Sequence, residues 1–378
     1  MEVDATGYGT LLIAICMAKK IFLHIGHYKT GTSAIQNFLS DNVARLRKRG
    51  FLYPTGLRPR NNPTNHGILS LSLAQEYGFH GPGWYSEKIS ADEAYAALHA
   101  ELNEAREENI ILSSEEYVQL ALCSDPNAAV ADLKKHLAPY PVTVVFYIRE
   151  PMALLKSWFN ERNKGPMATR TFPILFMKLS RDFLGQQAIR AVFARHFGEE
   201  NIKTLTYKHI GEEHIAEFLQ ATGCNMPVSK GAGKLVQQAI PEELLETSRL
   251  AKERAGTLDD YTISRINIQN LIRKVGEINA EYDQVAKLSD DARPSRLSSE
   301  AIIEYYARLL HPLQPTGSLN QKEANNLRDL ALRIENSDQA LALALMRTAQ
   351  MIRPNGEFIN KKIAEYTSGK ERVGVKPF

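Results

Sequence analysis

The chain is short of cysteine: three in 378 residues, Cys16, Cys123 and Cys224. They are odd in number, far apart, and belong to no CxxC pair or His/Cys cluster. That excludes a disulfide framework and a structural zinc site, and makes a reducing, cytoplasmic compartment the expectation. Excess charge is also scarce. Lys plus Arg is 46 against 43 for Asp plus Glu, a net +3. This is too little to argue for a nucleic-acid partner, so any basic site has to be local. Long apolar runs are missing as well. The run at 11–18 has eight residues, against ~20 for a membrane span. It follows Glu2 and Asp4, where a secretory leader would carry positive charge. Met17, opening MAKKIFLHIG, is the expected natural start, with residues 1–18 a poorly ordered extension. What remains is 44% hydrophobic and 24% charged, the composition of a globular protein with ample chain to bury a core.

Periodicity gives an α/β pattern. Residues 20–25 read as a buried strand, a glycine loop follows, and a helix then carries Ile35, Phe38, Leu39, Val43 and Leu46 on one face up to Gly50. Residues 54–66 read as loop, and 67–108 as helical apart from a break at 78–84. Near-continuous apolar runs at 109–113 and 142–148 are expected strands covered on both faces, and 201–207 is a fourth, after a helical stretch at 173–197. A parallel sheet with right-handed crossovers follows. Beyond Gly223 the pattern turns helical, at 241–255, 260–287 and 298–311. In the tail, one helix is expected from Ser318 with Leu327, Leu330 and Ile334 on one face. A second is expected from Ser337 with Leu341, Leu345, Thr348 and Ile352.

The informative segment is GHYKTGTS, Gly26 to Ser33. The two glycines, Gly26 and Gly31, are spaced as in the phosphate loop GxxxxGK[ST], but Thr32 stands where that motif has its lysine. The lysine, Lys29, lies inside the loop. An ammonium, two hydroxyls and the positive end of a helix converge there, which suits a phosphate-like anion without the usual Mg-nucleotide arrangement. Far along the chain, the strand at 142–148 runs into Arg149, with Ser157 eight residues on. An arginine at the C-terminal edge of such a sheet and a hydroxyl can hold a second phosphate.

HIGHYKTGTS and VVFYIREPMALLKSWFN together resemble the two nucleotide-binding segments of PAPS-dependent sulfotransferases, most of all the bacterial branch with HIGxxKTGT near the N-terminus. The resemblance covers roughly residues 20–225. It implies a P-loop NTPase-like parallel sheet flanked by helices, with a helical C-terminal extension. It implies PAPS as co-substrate, its 5′-phosphosulfate on Lys29, Thr30, Gly31, Thr32 and Ser33, and its 3′-phosphate on Arg149 and Ser157. No cluster has metal-ligand spacing, so no metal is expected. The acceptor is expected to be a hydroxyl on a glycan or lipid-linked sugar, by analogy alone. The domain boundaries follow: 1–18 extension, 19–225 sulfotransferase core, 226–312 helical part of the same domain, 313–378 helical extension.

Two residues are candidates for the base that takes the acceptor's proton. Glu115 follows the strand at 109–113, where Ser113 and Glu116 stand at capping-box spacing for the next helix. His66 lies in a polar loop beside Asn65, and its plainer reading is a solvent histidine. His24, inside the first strand, reads as a core histidine. Lys230, Gly231, Gly233 and Lys234 form either a surface turn or a loop closing on the 3′-phosphate. Arg58 and Arg60 read as solvated, and Trp84 as a sugar platform or a core anchor. Two rival functions stand beside the sulfotransferase. A P-loop kinase or NTPase requires a lysine after the second glycine, and a non-catalytic assembly protein would use the helical tail.

Overall fold

The computed structural model describes residues 19–165, 169–209, 211–233, 239–254, 267–310 and 321–368. The expected extension, Lys234 and Ser318 lie outside them. The chain divides into two compact units. Unit 1 comprises residues up to Arg149, 186–237 and 284–293; unit 2 comprises 150–185, 238–283 and 294 onward.

Unit 1 is the α/β unit. In chain order it contains β1 (Lys20–Gly26), α1 (Thr32–Asp41), β2 (Phe51–Leu52), α2 (Gly67–Glu76) and α3 (Ala91–Glu104). There follow β3 (Asn109–Ser113), α4 (Pro126–Leu137), β4 (Val142–Ile148), α5 (Gln187–Phe197), β5 (Ile202–Thr206) and α6 (Glu212–Thr222). The five strands form one sheet, ordered β2-β3-β1-β4-β5, and every pairing is parallel. The expected α/β parallel sheet is therefore present, with the glycine loop following its central strand. Leu23 of β1 lies between Leu112 of β3 and Val144 of β4. β1 and β4 are buried on both faces, which is why their sequences run apolar without alternation. β5 is an edge strand, and its exposed Lys203 breaks the apolar pattern.

Several boundaries differ from the sequence reading. β2 carries no signal in the sequence, because two residues give no periodicity, yet Phe51 and Leu52 pair with Asn109 and Ile110. The helix after the loop breaks at Asn42, whose φ of −115° lies outside helix, before a last turn at Val43–Arg47. The stretch at 173–197 divides into three helices, the last preceded by Gln186 at φ 70°. Ser113 and Glu116 form no capping box. Glu115–Ala121 is a 3-10 helix after Ser114, and the Ser113 hydroxyl instead meets His24 Nδ1 at 2.8 Å and Gln36 Nε2 at 3.2 Å.

The face of α1 carrying Ile35, Phe38 and Leu39 packs with Ile215, Phe218 and Leu219 of α6. Each such side chain contributes roughly 1.5–3 kcal/mol on burial. The same packing brings α6 against the loop before α1.

Unit 2 is helical. Its helix Pro151–Lys164 is capped by the Glu150 carboxylate, which accepts from Met152 N–H and Ala153 N–H at 2.9 Å each. Lys274 caps the end of helix Phe172–Lys178 by donating to the carbonyls of Phe176, Met177 and Leu179. The expected tail pair is present as Gln321–Ile334 and Gln339–Ile352, with Leu327, Leu341, Leu345 and Thr348 fully buried. Asp338 rather than Ser337 caps the second, its carboxylate accepting from Leu341 N–H at 3.0 Å. A third tail helix, Glu357–Thr367, follows the expected pair.

Candidate functional site

The site is built at the C-terminal edge of the sheet in unit 1, around the loop from Gly26 to Gly31. Gly26 has φ 62°, and a Cβ there would come within 2.5 Å of Thr32 Cγ2. Gly31 has φ 77°, and a Cβ there would come within 2.7 Å of His214 Nε2 and 3.0 Å of Tyr207 Cε2. Both glycines are therefore demanded by conformation and by space. Between them the buried Thr30 closes the loop on itself. Its hydroxyl donates to the His27 carbonyl at 2.6 Å and accepts from His27 N–H at 3.2 Å. The Thr30 side chain thus shapes the loop.

Lys29 also has a left-handed backbone, φ 64°, of order 1–3 kcal/mol in cost for a residue with a side chain. That geometry turns its carbonyl toward Arg149, whose Nη1 donates to it. Arg149 leaves the end of β4 with its guanidinium 4.7 Å over the Tyr207 ring. Its backbone is held at both ends by one amide: Arg149 N–H donates to Gln186 Oε1 at 2.8 Å, and Gln186 Nε2 donates to the Arg149 carbonyl at 2.7 Å. Sequence reasoning missed Gln186, and a single glutamine before a helix carries no pattern that would have found it.

Helix α1 begins at Thr32 with Gly31 as its cap and no side-chain cap hydrogen bond, and Ala34 N–H donates to the Gly31 carbonyl at 3.0 Å, so the positive end of the helix lies at the loop. Thr32 donates its hydroxyl to Glu115 Oε2, and Ser33 is exposed. Glu115 reaches the loop because its 3-10 helix follows β3, the neighbour of β1. Lys29, Gly31, Thr32, Ser33, Glu115 and Arg149 are thus gathered around one strand end. A cation sits inside the loop, a carboxylate on the β3 side and a guanidinium on the β4 side. Tyr28, missed in the sequence, accepts from Gln119 Nε2 at 2.8 Å and faces the charges of Glu115 and Glu116.

His66 is elsewhere in chemical terms. It is fully buried, its Nδ1 accepts from Ser113 N–H at 3.0 Å, and its Nε2 therefore donates to the Pro54 carbonyl at 3.0 Å. Burial pushes it down to about 3. With both nitrogens engaged by backbone, it pins the loop before α2 to β3 and has no nitrogen left to take a substrate proton. The expectations of a catalytic base or a solvent histidine at this position are both corrected by that geometry. His24 is a core histidine, also held near 3 by burial, with Nε2 lacking a partner. His214 lies against the carbonyls of Thr30 and Gly31, lowered to about 4, first by burial. A cleft of about 290 Å³ along α6 is lined by Lys208, His209, Glu213, His214, Glu217 and Gln220.

Ser157 is half-buried on the helix Pro151–Lys164 of unit 2. Arg58 is a loop clamp rather than a solvated residue, donating to the Pro54 carbonyl and Ser40 Oγ at 2.9 Å and stacking 4.6 Å over Tyr53. Arg60 is exposed, and Trp84 is partly exposed with its ring 6.2 Å from that of Tyr85. Gly231 N–H donates to Glu212 Oε1, which holds the 230–233 turn to the start of α6. Among the described residues no group of three His, Cys, Asp or Glu is placed to hold a metal ion, and no helix is long and apolar enough to cross a membrane.

No family model and no curated protein matches the chain. Among solved structures, a sulfotransferase from Alicyclobacillus acidocaldarius is similar over 70% of this chain and 96% of its own, at 14% identity and a TM-score of 0.38. Likeness at that level leaves fold and function to be argued from the chain's own residues.

Proposed function

We propose that the protein is a sulfotransferase that moves a sulfuryl group from PAPS to a hydroxyl acceptor. The observation that carries this reading is the position of Lys29. It lies inside the loop after the central strand, next to the start of α1 and with its carbonyl bound by Arg149, while Thr32, at the lysine position of a nucleotide-hydrolysing loop, is bound to a carboxylate.

The chemistry follows from that placement. The acceptor oxygen bonds to sulfur as the bond from sulfur to the bridging phosphate oxygen breaks. Glu115 takes the acceptor's proton, its carboxylate oriented by Thr32. Charge grows on the departing bridging oxygen, where the Lys29 ammonium and the first-turn amides of α1 stabilise it. The transferred unit is neutral SO3, so no second charge has to be neutralised by a metal. Arg149 is proposed to hold the 3′-phosphate, with Gln186 fixing its backbone and Tyr207 its guanidinium. Ser157 is proposed as a donor contact on the sequence resemblance alone. A sugar hydroxyl is the proposed acceptor class, again by resemblance.

Incubation with radiolabelled PAPS and a panel of glycans, glycolipids and simple alcohols tests this. Label transferred by the wild type and lost in Glu115→Gln supports the reading. Magnesium-dependent ATP turnover with no transfer from PAPS favours the kinase reading.

A further inference from the structure

The strands of unit 1 are all parallel, so their starts share one edge of the sheet, opposite the glycine loop. That edge is basic. Lys20 opens β1, and Lys203 is the second residue of β5. Residues 45–49, RLRKR, lead into β2 and hold four cations in five positions with no carboxylate.

Local contacts gather these six cations at one corner, around the end of α6. Arg45 Nη2 donates to the Pro227 carbonyl at 3.2 Å and Arg49 Nε to the Asn225 carbonyl at 2.9 Å. Lys203 Nζ donates to the Ala221 carbonyl at 2.5 Å, and burial first, then the Lys20 charge, lowers its ammonium. Carbonyls orient a cation but leave its charge in place. Among the described residues only Arg47 of the six meets a carboxylate, Glu107 at 3.8 Å, and Arg47 is itself half exposed, so the pair neutralises little. The acids on the adjoining segments, Asp41 at the end of α1 and Glu104 and Glu108 before β3, bind none of the six. With a net charge of only +3 on the whole chain, this corner holds much of its excess positive charge. The chain also enters the same edge, at Lys19, straight from the apolar run LLIAICMA at 11–18.

We propose that the strand-start edge of unit 1 docks on an anionic membrane surface, its cations against the lipid phosphates and the adjoining apolar run supplying a second, hydrophobic attachment. A run of eight apolar residues is far short of the ~20 that span a bilayer, and a few surface cations alone hold a protein only loosely. Together they make the two-signal combination that stable peripheral attachment requires. A nucleic acid is the poorer match. The aromatic side chains at this corner, Phe22 and Phe51, are 4% and 6% exposed and cannot stack on bases. Docking does not depend on what the glycine loop binds. β1 has seven residues, about 20 Å of strand, so a docked molecule holds its loop that far from the bilayer and open to water.

Co-sedimentation of the full chain with lipid vesicles tests this. Binding is expected to vesicles of phosphatidylcholine with about 30% phosphatidylserine and not to phosphatidylcholine alone, and is expected to weaken at least tenfold between about 0.05 M and 0.5 M salt. The double variant Arg47→Glu, Lys48→Glu changes two exposed side chains, and is expected to bind at least about tenfold more weakly with thermal unfolding unchanged. Ile13→Asp, in the apolar run, is expected to weaken binding by about tenfold. Absence of binding to the anionic vesicles, or equal binding by wild type and the double variant, overturns the proposal. Equal binding by Ile13→Asp overturns the hydrophobic attachment. Tighter binding to polyuridylate than to the anionic vesicles at the same salt assigns the edge to nucleic acid and overturns the membrane.

Discussion

At the scale of single residues, the account divides the loop's polar groups into those that meet a ligand and those that hold the loop. Lys29 is proposed for the first class. Lys29→Ala is expected to cut sulfuryl transfer by about 10²–10³, the loss typical of one preorganised charge stabiliser, with melting behaviour close to wild type. Glu115→Gln keeps an oxygen for Thr32 to bind but cannot take a proton. Transfer is expected to fall by about 10²–10⁴ with the donor KM little changed, measured by steady-state kinetics. His66 belongs to the second class. Its two hydrogen bonds to Ser113 N–H and the Pro54 carbonyl are buried, so His66→Ala is expected to cost about 2–4 kcal/mol in urea denaturation, while the protein that remains folded keeps its pH–rate profile. A base at His66 would instead abolish transfer without destabilising the chain.

At the scale of elements, the loop is fixed by what packs on either side of it. Gly31 shows this most directly: φ 77° and a Cβ position 2.7 Å from His214 Nε2 leave room for nothing larger than hydrogen. Gly31→Ala is expected to destabilise by roughly 2–3 kcal/mol and to weaken nucleotide binding, whereas Gly78→Ala, also at positive φ but with open space around it, costs only about 1 kcal/mol. This is also the scale at which the sequence was most legible. β1, β3 and β4 are buried on both faces, so their runs of Ile, Val and Leu announce themselves. β2 is two residues long and leaves no period to detect. The loop was legible because glycines and a lysine at fixed spacing have few other uses. Gln186 and Tyr28 were not, because each acts through a contact with a residue far away in sequence. The 113–116 segment misled for the opposite reason: the capping-box spacing was there, but the Ser113 hydroxyl was already committed to His24 and Gln36.

At the scale of the whole molecule, buried ionisable groups set how stability depends on pH. His24 and His66 near 3 and His214 near 4 stay neutral in the fold but take protons once unfolded below about 6.5. Each therefore contributes stability above that value that is lost as pH falls. Glu116 has the opposite sign: raised to about 7, it binds its proton more tightly folded than unfolded, and its contribution is lost as pH rises from about 4.5 to 7. Between about pH 5 and 6 the three histidines outweigh Glu116, so stability is expected to fall on acidification. Denaturant titrations at several pH values check that slope, and a flat profile between about pH 5 and 6 contradicts it. The central claim, that this loop and Arg149 grip a bisphosphorylated adenosine, is tested most directly by calorimetric binding of adenosine 3′,5′-bisphosphate in chelator-treated buffer. The account predicts binding by the wild type without magnesium and its loss in Lys29→Ala. Binding that requires magnesium, or that survives in Lys29→Ala unchanged, contradicts it.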